Sequence, residues 1–356
     1  MIKTTRRELL KKCAALAISP ALLYSDSRVS AGRVCDPYRD AVLIDGEPPI
    51  PASGSFTVAV LPDTQYYSAQ FPETYHAQTQ WLVANKTARN IACVLHLGDL
   101  TDHNTPEEWE IAKAAMGRLD GQIPYFLVAG NHDYGESGRC ENRTTRLNEY
   151  FPVEKYQDLP TFGGCYDQEP TRMENTFHRF SAGGRDFLVL ALEFGPRRDV
   201  VRWAREVVAR HQDHEVILMT HAYLYHNNAR YDWKKFGGKQ FWSPHCYPFA
   251  ATGEVMDGER LWAELVSRSE NFILTLNGHV LGDGLGKSTT ATPGGRAVHE
   301  LLVNFQMRPG GGDGWLRLLE FQSDSRIVKV YDYSPTRNQR NESSKNEFEI
   351  ALSAIG

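Results

Sequence analysis

Ile91-Ala92-Cys93-Val94-Leu95-His96-Leu97-Gly98-Asp99-Leu100-Thr101-Asp102 runs an apolar segment straight into a Gly-Asp turn. A short, nearly continuous apolar run reads as a strand covered on both faces. The glycine that follows lets the chain turn sharply off the strand end. The same grammar recurs along the chain. Ser55 to Leu61 leads to Asp63-Thr64-Gln65, and Tyr125 to Ala129 leads to Gly130-Asn131-His132-Asp133. Val216 to Met219 leads to His221, and Phe272 to Leu276 leads to Gly278-His279.

The segments between these strands carry helical spacing. Ala77, Trp81, Ala84 and Ala88 form one such row. Thr105-Pro106-Glu107-Glu108 supplies an N-cap, a first-turn proline and a capping-box Glu ahead of Trp109, Ala112, Met116 and Leu119. Val200, Trp203, Ala204, Val207 and Val208 form the clearest amphipathic stripe, and Leu261, Trp262, Leu265 and Val266 another. Thr176 to Phe180 and Phe187 to Phe194 read as a hairpin, and the chain from residue 296 as three further strands. No internal repeat is visible. The pattern predicts an α/β fold of two packed sheets with helices outside, over residues 55–334. Residues 134–172 and 223–256 read as insertions, 32–54 as a linker and 335–356 as a polar tail.

The chain has 356 residues, 41% hydrophobic and 23% charged, which is a globular composition. Its net charge of −5 gives no basic surplus, so a nucleic-acid partner is not expected. The charge is uneven: Lys3, Arg6, Arg7, Lys11 and Lys12 open the chain, an apolar run follows from Cys13 to Tyr24, and small residues close at Val29-Ser30-Ala31. Residues 1–31 therefore read as an export signal whose apolar part is too short to span a bilayer. Thr5-Arg6-Arg7-Glu8-Leu9-Leu10-Lys11 resembles the twin-arginine signal of bacteria. That implies the twin-arginine export machinery as a partner of the precursor and a periplasmic or secreted mature chain. Cys35, Cys93, Cys140, Cys165 and Cys246 remain, an odd number. Cys93 reads as core, and Cys140 and Cys165 are close enough to a shared loop to be bridged.

Five polar clusters at five strand ends converge on one crevice in an open α/β sheet. Asp, Asn and His gathered there are ligands suited to Mn, Fe or Zn. In this order they resemble the calcineurin-like metallophosphoesterases, whose series is D-x-H, G-D-x-x-D, G-N-H-D/E, a lone His and G-H-x-H. Asp63-Thr64-Gln65-Tyr66-Tyr67 and Gly278-His279-Val280-Leu281-Gly282-Asp283-Gly284 further resemble an exported bacterial branch.

The resemblance implies the two-sheet α/β/β/α sandwich of the metallo-dependent phosphatases and hydrolysis of a phosphomonoester or phosphodiester. A metal-activated hydroxide would attack phosphorus in line. Asp99 would bridge two metal ions, Asp63 would serve the first, and Asn131, His221 and His279 the second. His132 would act near the leaving group with Asp102 orienting it, and Asp133 would support from behind. Two departures stand out. Gln65 and Leu281 occupy places where the family has imidazoles on the first metal, so one or two divalent ions are expected, with Ca possible at the weaker site. Asp283 and His299 are candidates to fill the gap. His103 stands where protein phosphatases of the superfamily often have a phosphate-gripping Arg.

The aromatic stretch Tyr223 to Phe249 reads either as a stacking surface over the crevice or as an insertion with its own small core. Gly310 to Gly314 reads as a turn, with a phosphate cradle as the lesser reading. A non-catalytic, metal-dependent phospho-ligand or envelope-binding module is the alternative to the hydrolase. The substrate class stays open between small-molecule and envelope phosphoesters.

Overall fold

A computed structural model describes residues 38–251, 253–323 and 325–353. The predicted export signal lies outside the described residues. Among the described residues fifteen strands run in chain order: β1 (Leu43–Asp45), β2 (Phe56–Leu61), β3 (Ile91–His96), β4 (Tyr125–Leu127), β5 (Phe162–Cys165), β6 (Thr176–Ala182), β7 (Arg185–Leu192), β8 (Glu215–Thr220), β9 (Phe272–Asn277), β10 (Leu285–Ala291), β11 (Ala297–Val303), β12 (Leu316–Phe321), β13 (Ile327–Ser334), β14 (Gln339–Asn341) and β15 (Phe348–Ala351). They form two mixed sheets. One has the order β1-β14-β13-β12-β2-β3-β4 with β15 on β13, and the other β10-β11-β9-β8-β7-β6-β5. The strand ends that carry the polar clusters belong to two parallel blocks, β2-β3-β4 and β7-β8-β9.

Period-two alternation explains how the sheets pack. Phe56, Val58 and Val60 of β2 join Phe187, Val189, Ile217, Met219, Leu319 and Phe321 in a core between the sheets. Phe56 stacks on Phe321 with ring centroids 4.7 Å apart. Ala59 and Leu61, the alternate residues, join a separate core under the helices. Both faces of each central strand are therefore apolar, which is why these segments read as continuous hydrophobic runs. The fold is the predicted α/β sandwich of two sheets with helices outside.

Several local readings need correction. Helix Pro72–Asn85 buries Tyr75, Gln78, Thr79 and Leu82, whereas Ala84 and Ala88 are exposed. Gln78 takes a core position because its amide donates to the Trp315 carbonyl at 2.9 Å. Of the row read as its apolar face, Ala77 and Trp81 are half-buried, Ala84 is exposed and Ala88 lies beyond the helix end. Residues 134–172 are only partly an excursion, since β5 pairs with β6 and Leu147, Phe151 and Tyr156 are buried. The segment read as a linker supplies β1, and Glu47 there pairs with buried Arg89 at 2.9 Å. Cys140 and Cys165 are unbridged thiols.

The polar tail is the largest correction, because β14 and β15 both pair with β13. Two of its polar residues, Asn341 and Asn346, are buried. Arg317 and Asp332 sit opposite each other on β12 and β13, fully buried, joined by two bonds of 2.7 and 2.8 Å. Asn346 donates to the same carboxylate at 2.6 Å, and Arg317 also reaches the Lys345 carbonyl. Replacing Arg317 by Ala leaves a buried carboxylate with one neutral partner. We expect urea unfolding to show a loss of about 3–5 kcal/mol. Among the described residues no helix is long and apolar enough to cross a membrane.

A candidate metal centre between the two sheets

The polar clusters do meet. Asp99 Oδ2 lies 3.1 Å from His221 Nε2, and Asn131 Oδ1 lies 3.2 Å from the same nitrogen. Ligand atoms of Asp99, His221 and His279 fall within 4.8 Å of one another. Asp63 Oδ1 is 4.0 Å from His221 Nε2 and accepts the His279 backbone N–H at 2.9 Å. Gln65 donates to Asp99 Oδ2 at 3.3 Å. All six side chains are buried.

The imidazoles are held through their far nitrogens. His221 Nδ1 donates to the Leu97 carbonyl at 2.7 Å, which turns Nε2 toward Asp99 and Asn131. His279 Nε2 donates to the Trp242 carbonyl at 2.6 Å and so leaves Nδ1 for the cluster. Phe194 packs against both rings, at centroid distances of 5.7 and 5.1 Å. The turn residues are strained for this purpose: Asp99 and His279 take φ of +50° and +74°, and Trp242 takes +59°. Non-glycine residues in that region concentrate at functional sites. Gly130 is required by closeness, since a Cβ there would lie 2.1 Å from Asp99 Oδ1.

Charges in the cluster pull against one another. Burial pushes Asp63 up to about 8, with His221 opposing and Asp99 adding. Asp99 is held below the usual carboxylate range, because the charges on His221 and His132 outweigh its burial. His221 rises to about 9 against burial because of Asp99 beside it, while burial and the His221 charge push His279 down to about 3.

Two buried acceptors, Asp63 Oδ2 and Gln65 Oε1, have no hydrogen-bond partner. Unpaired buried acceptors are costly, and here they sit beside a group of anionic, amide and imidazole ligands. That donor set fits divalent cations. Gln65 meets the cluster through Asp99, and its unpaired amide oxygen stands where the family has an imidazole.

His132 sits at the rim with its side chain 32% exposed. Its Nδ1 bonds the Asp102 backbone carbonyl at 2.8 Å and lies 3.3 Å from the Asp102 carboxylate. Asp99 and Asp102 raise the His132 pKa against the effect of burial, while Asp102 is raised by burial more than its two histidine neighbours lower it. The Glu108 backbone N–H goes to the N-cap Thr105, but its carboxylate turns to the site loop and accepts the N–H groups of Asp102 and His103 at 3.1 and 2.7 Å. Asp133 likewise ties the loop together, accepting from Leu100, Thr101 and Gly130.

Other candidates fall away. Asp283 pairs with Lys345 on the surface, and His299 bonds Thr289 and the Ala351 carbonyl, so neither fills the gap at Asp63. His96 is a buried core histidine bonded to Thr64. In the aromatic insertion Tyr223, Tyr225, Tyr231 and Phe249 are buried, and only Phe241 is well exposed. That segment is core packing first, and it holds His279 through the backbone of Trp242. No side-chain pattern could have revealed that contact, or the one from Leu97. Tyr66 was also missed. Burial and the negative charges of Asp102 and Asp99 push the Tyr66 hydroxyl pKa up.

The family model for calcineurin-like phosphoesterases matches residues 56–283, and the chain belongs to that family. Within it, the chain is 29% identical over 324 residues to the uncharacterized protein YvnB of Bacillus subtilis (strain 168), covering 87% of this chain and 23% of YvnB. It is 26% identical over 102 residues to a probable glycerophosphodiester phosphodiesterase, GpdQ, of Arcobacter nitrofigilis, covering 24% of this chain and 37% of that protein. The chain thus spans well under half the length of these relatives. Among solved structures it is similar to purple acid phosphatase PPD1 of yellow lupin, at 14% identity and TM-score 0.49, over 85% of this chain and 55% of that one. A 5'-nucleotidase precursor from Thermus thermophilus is similar at 12% identity and TM-score 0.44, over 84% of this chain and 54% of that one.

Proposed function

We propose that this chain is an exported, metal-dependent hydrolase of phosphomonoesters or phosphodiesters. The observation that carries the reading is the buried convergence of Asp63, Gln65, Asp99, Asn131, His221 and His279 beside the partly exposed His132. Asp63 and Gln65, each with an unpaired buried oxygen, would hold one ion, and Asn131, His221 and His279, grouped with Asp99, would hold a second. Mn, Fe or Zn ions bound there supply positive charge for phosphoryl oxygens and make water more acidic. Ca is the expected alternative at the Gln65 side, where an amide oxygen replaces imidazole.

His132 donates a proton to the leaving oxygen, and Nε2 is the nitrogen left for this once Nδ1 is bonded to Asp102. Asp102 keeps the ring protonated and oriented. The relative named as a probable glycerophosphodiester phosphodiesterase supports including diesters among the substrates. The basic opening with Arg6-Arg7 and the apolar run behind it support passage through the twin-arginine machinery, and hence small-molecule or envelope phosphoesters as substrates.

The test strips the protein of metal and titrates back Mn²⁺, Fe²⁺, Zn²⁺ or Ca²⁺, following turnover of an aryl phosphomonoester and an aryl phosphodiester. Turnover is expected to return with one of the transition metals. Tight binding of an ion with no turnover of either ester would replace the hydrolase by a non-catalytic binding module.

A further inference from the structure

Arg143 belongs to the stretch that reads as an insertion, yet its side chain reaches the second sheet. Nη1 donates to the Phe194 carbonyl at 2.9 Å, and Nη2 donates to the Gly195 carbonyl at 2.6 Å. Nη1 also lies 3.3 Å from the buried Glu193 carboxylate, and the guanidinium covers the Phe249 ring at 4.5 Å. One planar group thus grips three consecutive residues just past the end of β7.

That grip bears on the metal centre. The Phe194 ring is fully buried, with centroid distances of 5.7 Å to His221, 5.1 Å to His279 and 5.1 Å to Tyr247. The Glu193 carbonyl accepts the hydroxyl of Thr220, the residue before His221, at 3.1 Å. Gly195 takes φ of +54°, and a Cβ there would lie 2.9 Å from Val255 and 3.0 Å from Pro244, so the chain has little room to leave Phe194 another way. The loop of Arg143 is tied to the first sheet as well. The Gly135 N–H, just beyond Asn131-His132-Asp133, donates to the Thr144 carbonyl at 2.8 Å. Arg143 therefore links the turn that carries Asn131 to the ring behind His221 and His279.

Among the described residues Arg143 bonds none of the six candidate ligands, so it reaches them through Phe194. We propose that Arg143 is a positioning residue of the metal centre: it fixes the Phe194 ring as the backstop of His221 and His279, and so sets how tightly their ion is held. This rests on the metal-dependent reading above and adds a residue to that same site. Lysine cannot reproduce the grip, because an ammonium lacks the fork that meets two carbonyls side by side.

The test measures Zn²⁺ affinity of the metal-stripped full chain by competition with a chromogenic chelator, beside the Tm of the stripped protein. Wild type is compared with Arg143→Lys, Arg143→Ala, Phe194→Leu and the Arg143→Ala/Phe194→Leu double variant. Groups that orient metal ligands from behind contribute about tenfold to a hundredfold in affinity, so Arg143→Ala should lose about that much and Arg143→Lys less. The double variant should lose no more than the worse single one, because both act on the same ring. Arg197→Ala is the control. The Arg197 guanidinium shares the Glu193 carboxylate at 2.9 Å but bonds neither carbonyl, so its removal should lower Tm and leave Zn²⁺ affinity unchanged.

An Arg143→Ala protein that loses Tm but binds Zn²⁺ as wild type does overturns the proposal and leaves the metal centre standing. An equal loss of affinity in Arg197→Ala, or losses that multiply in the double variant, also overturns it. Weaker binding in Arg143→Ala, beside a wild type that binds Zn²⁺ but turns over no ester with any metal, supports the positioning role and overturns the hydrolase. A wild type that binds no divalent ion overturns both.

Discussion

Asp99→Asn should reduce turnover at least about a thousandfold and remove bound metal, in a protein that still folds. The size of the effect follows from how many duties the carboxylate carries. Oδ2 faces His221 Nε2 at 3.1 Å and Gln65 at 3.3 Å, while Oδ1 accepts the His132 backbone N–H at 2.8 Å. An amide keeps the volume, and its oxygen can still take the His132 N–H. The variant therefore loses the negative charge and not the loop geometry. Of the six converging residues only Asp63 offers another carboxylate, so the variant loses one of the two anionic ligands of the site. Inductively coupled plasma analysis of the purified variant and turnover of an aryl diester would check both halves. Wild-type metal content with wild-type turnover would refute the assignment.

The contrast between what the sequence disclosed and what it hid follows from the kind of force involved. Strands β2, β3, β8 and β9 were legible because burial on both faces demands unbroken apolar runs, and the polar residue that ends each run announces a crevice. Asp63, Asp99, Asn131, His221 and His279 were legible for the same reason: each follows a strand, and strand ends place residues more firmly than side-chain pattern does. Helix Pro72–Asn85 was misread at its face because a buried Gln78 with one good acceptor looks polar in sequence. Strands β14 and β15 were hidden likewise, since Asn346 between them looks like solvated surface until its buried partner Asp332 is seen. Backbone groups left no trace at all. The Leu97 and Trp242 carbonyls that set the two histidine rings could come from any residue type.

Replacing His132 by Gln should lower kcat by about 10²–10⁴-fold for an ester with an alkyl leaving group, and by far less for a nitrophenyl ester. A proton donor matters in proportion to the basicity of the departing oxygen, so the difference between the two esters isolates the donor role from binding. Metal content should stay at the wild-type level, because it is the His132 backbone, and not its ring, that bonds Asp99. Asp102→Asn should cost less. The Asp102 backbone carbonyl still holds Nδ1 at 2.8 Å, so the ring stays in place and only the carboxylate at 3.3 Å is neutralised. That negative charge is one of the influences raising the His132 pKa. Its removal lowers that pKa, and a donor must be protonated to act, so the alkaline limb of kcat/KM should move to lower pH in Asp102→Asn. A pH profile in which the limb stays put in Asp102→Asn, or equal losses for alkyl and nitrophenyl esters in His132→Gln, would remove His132 from the proton-transfer step and leave it as a loop residue.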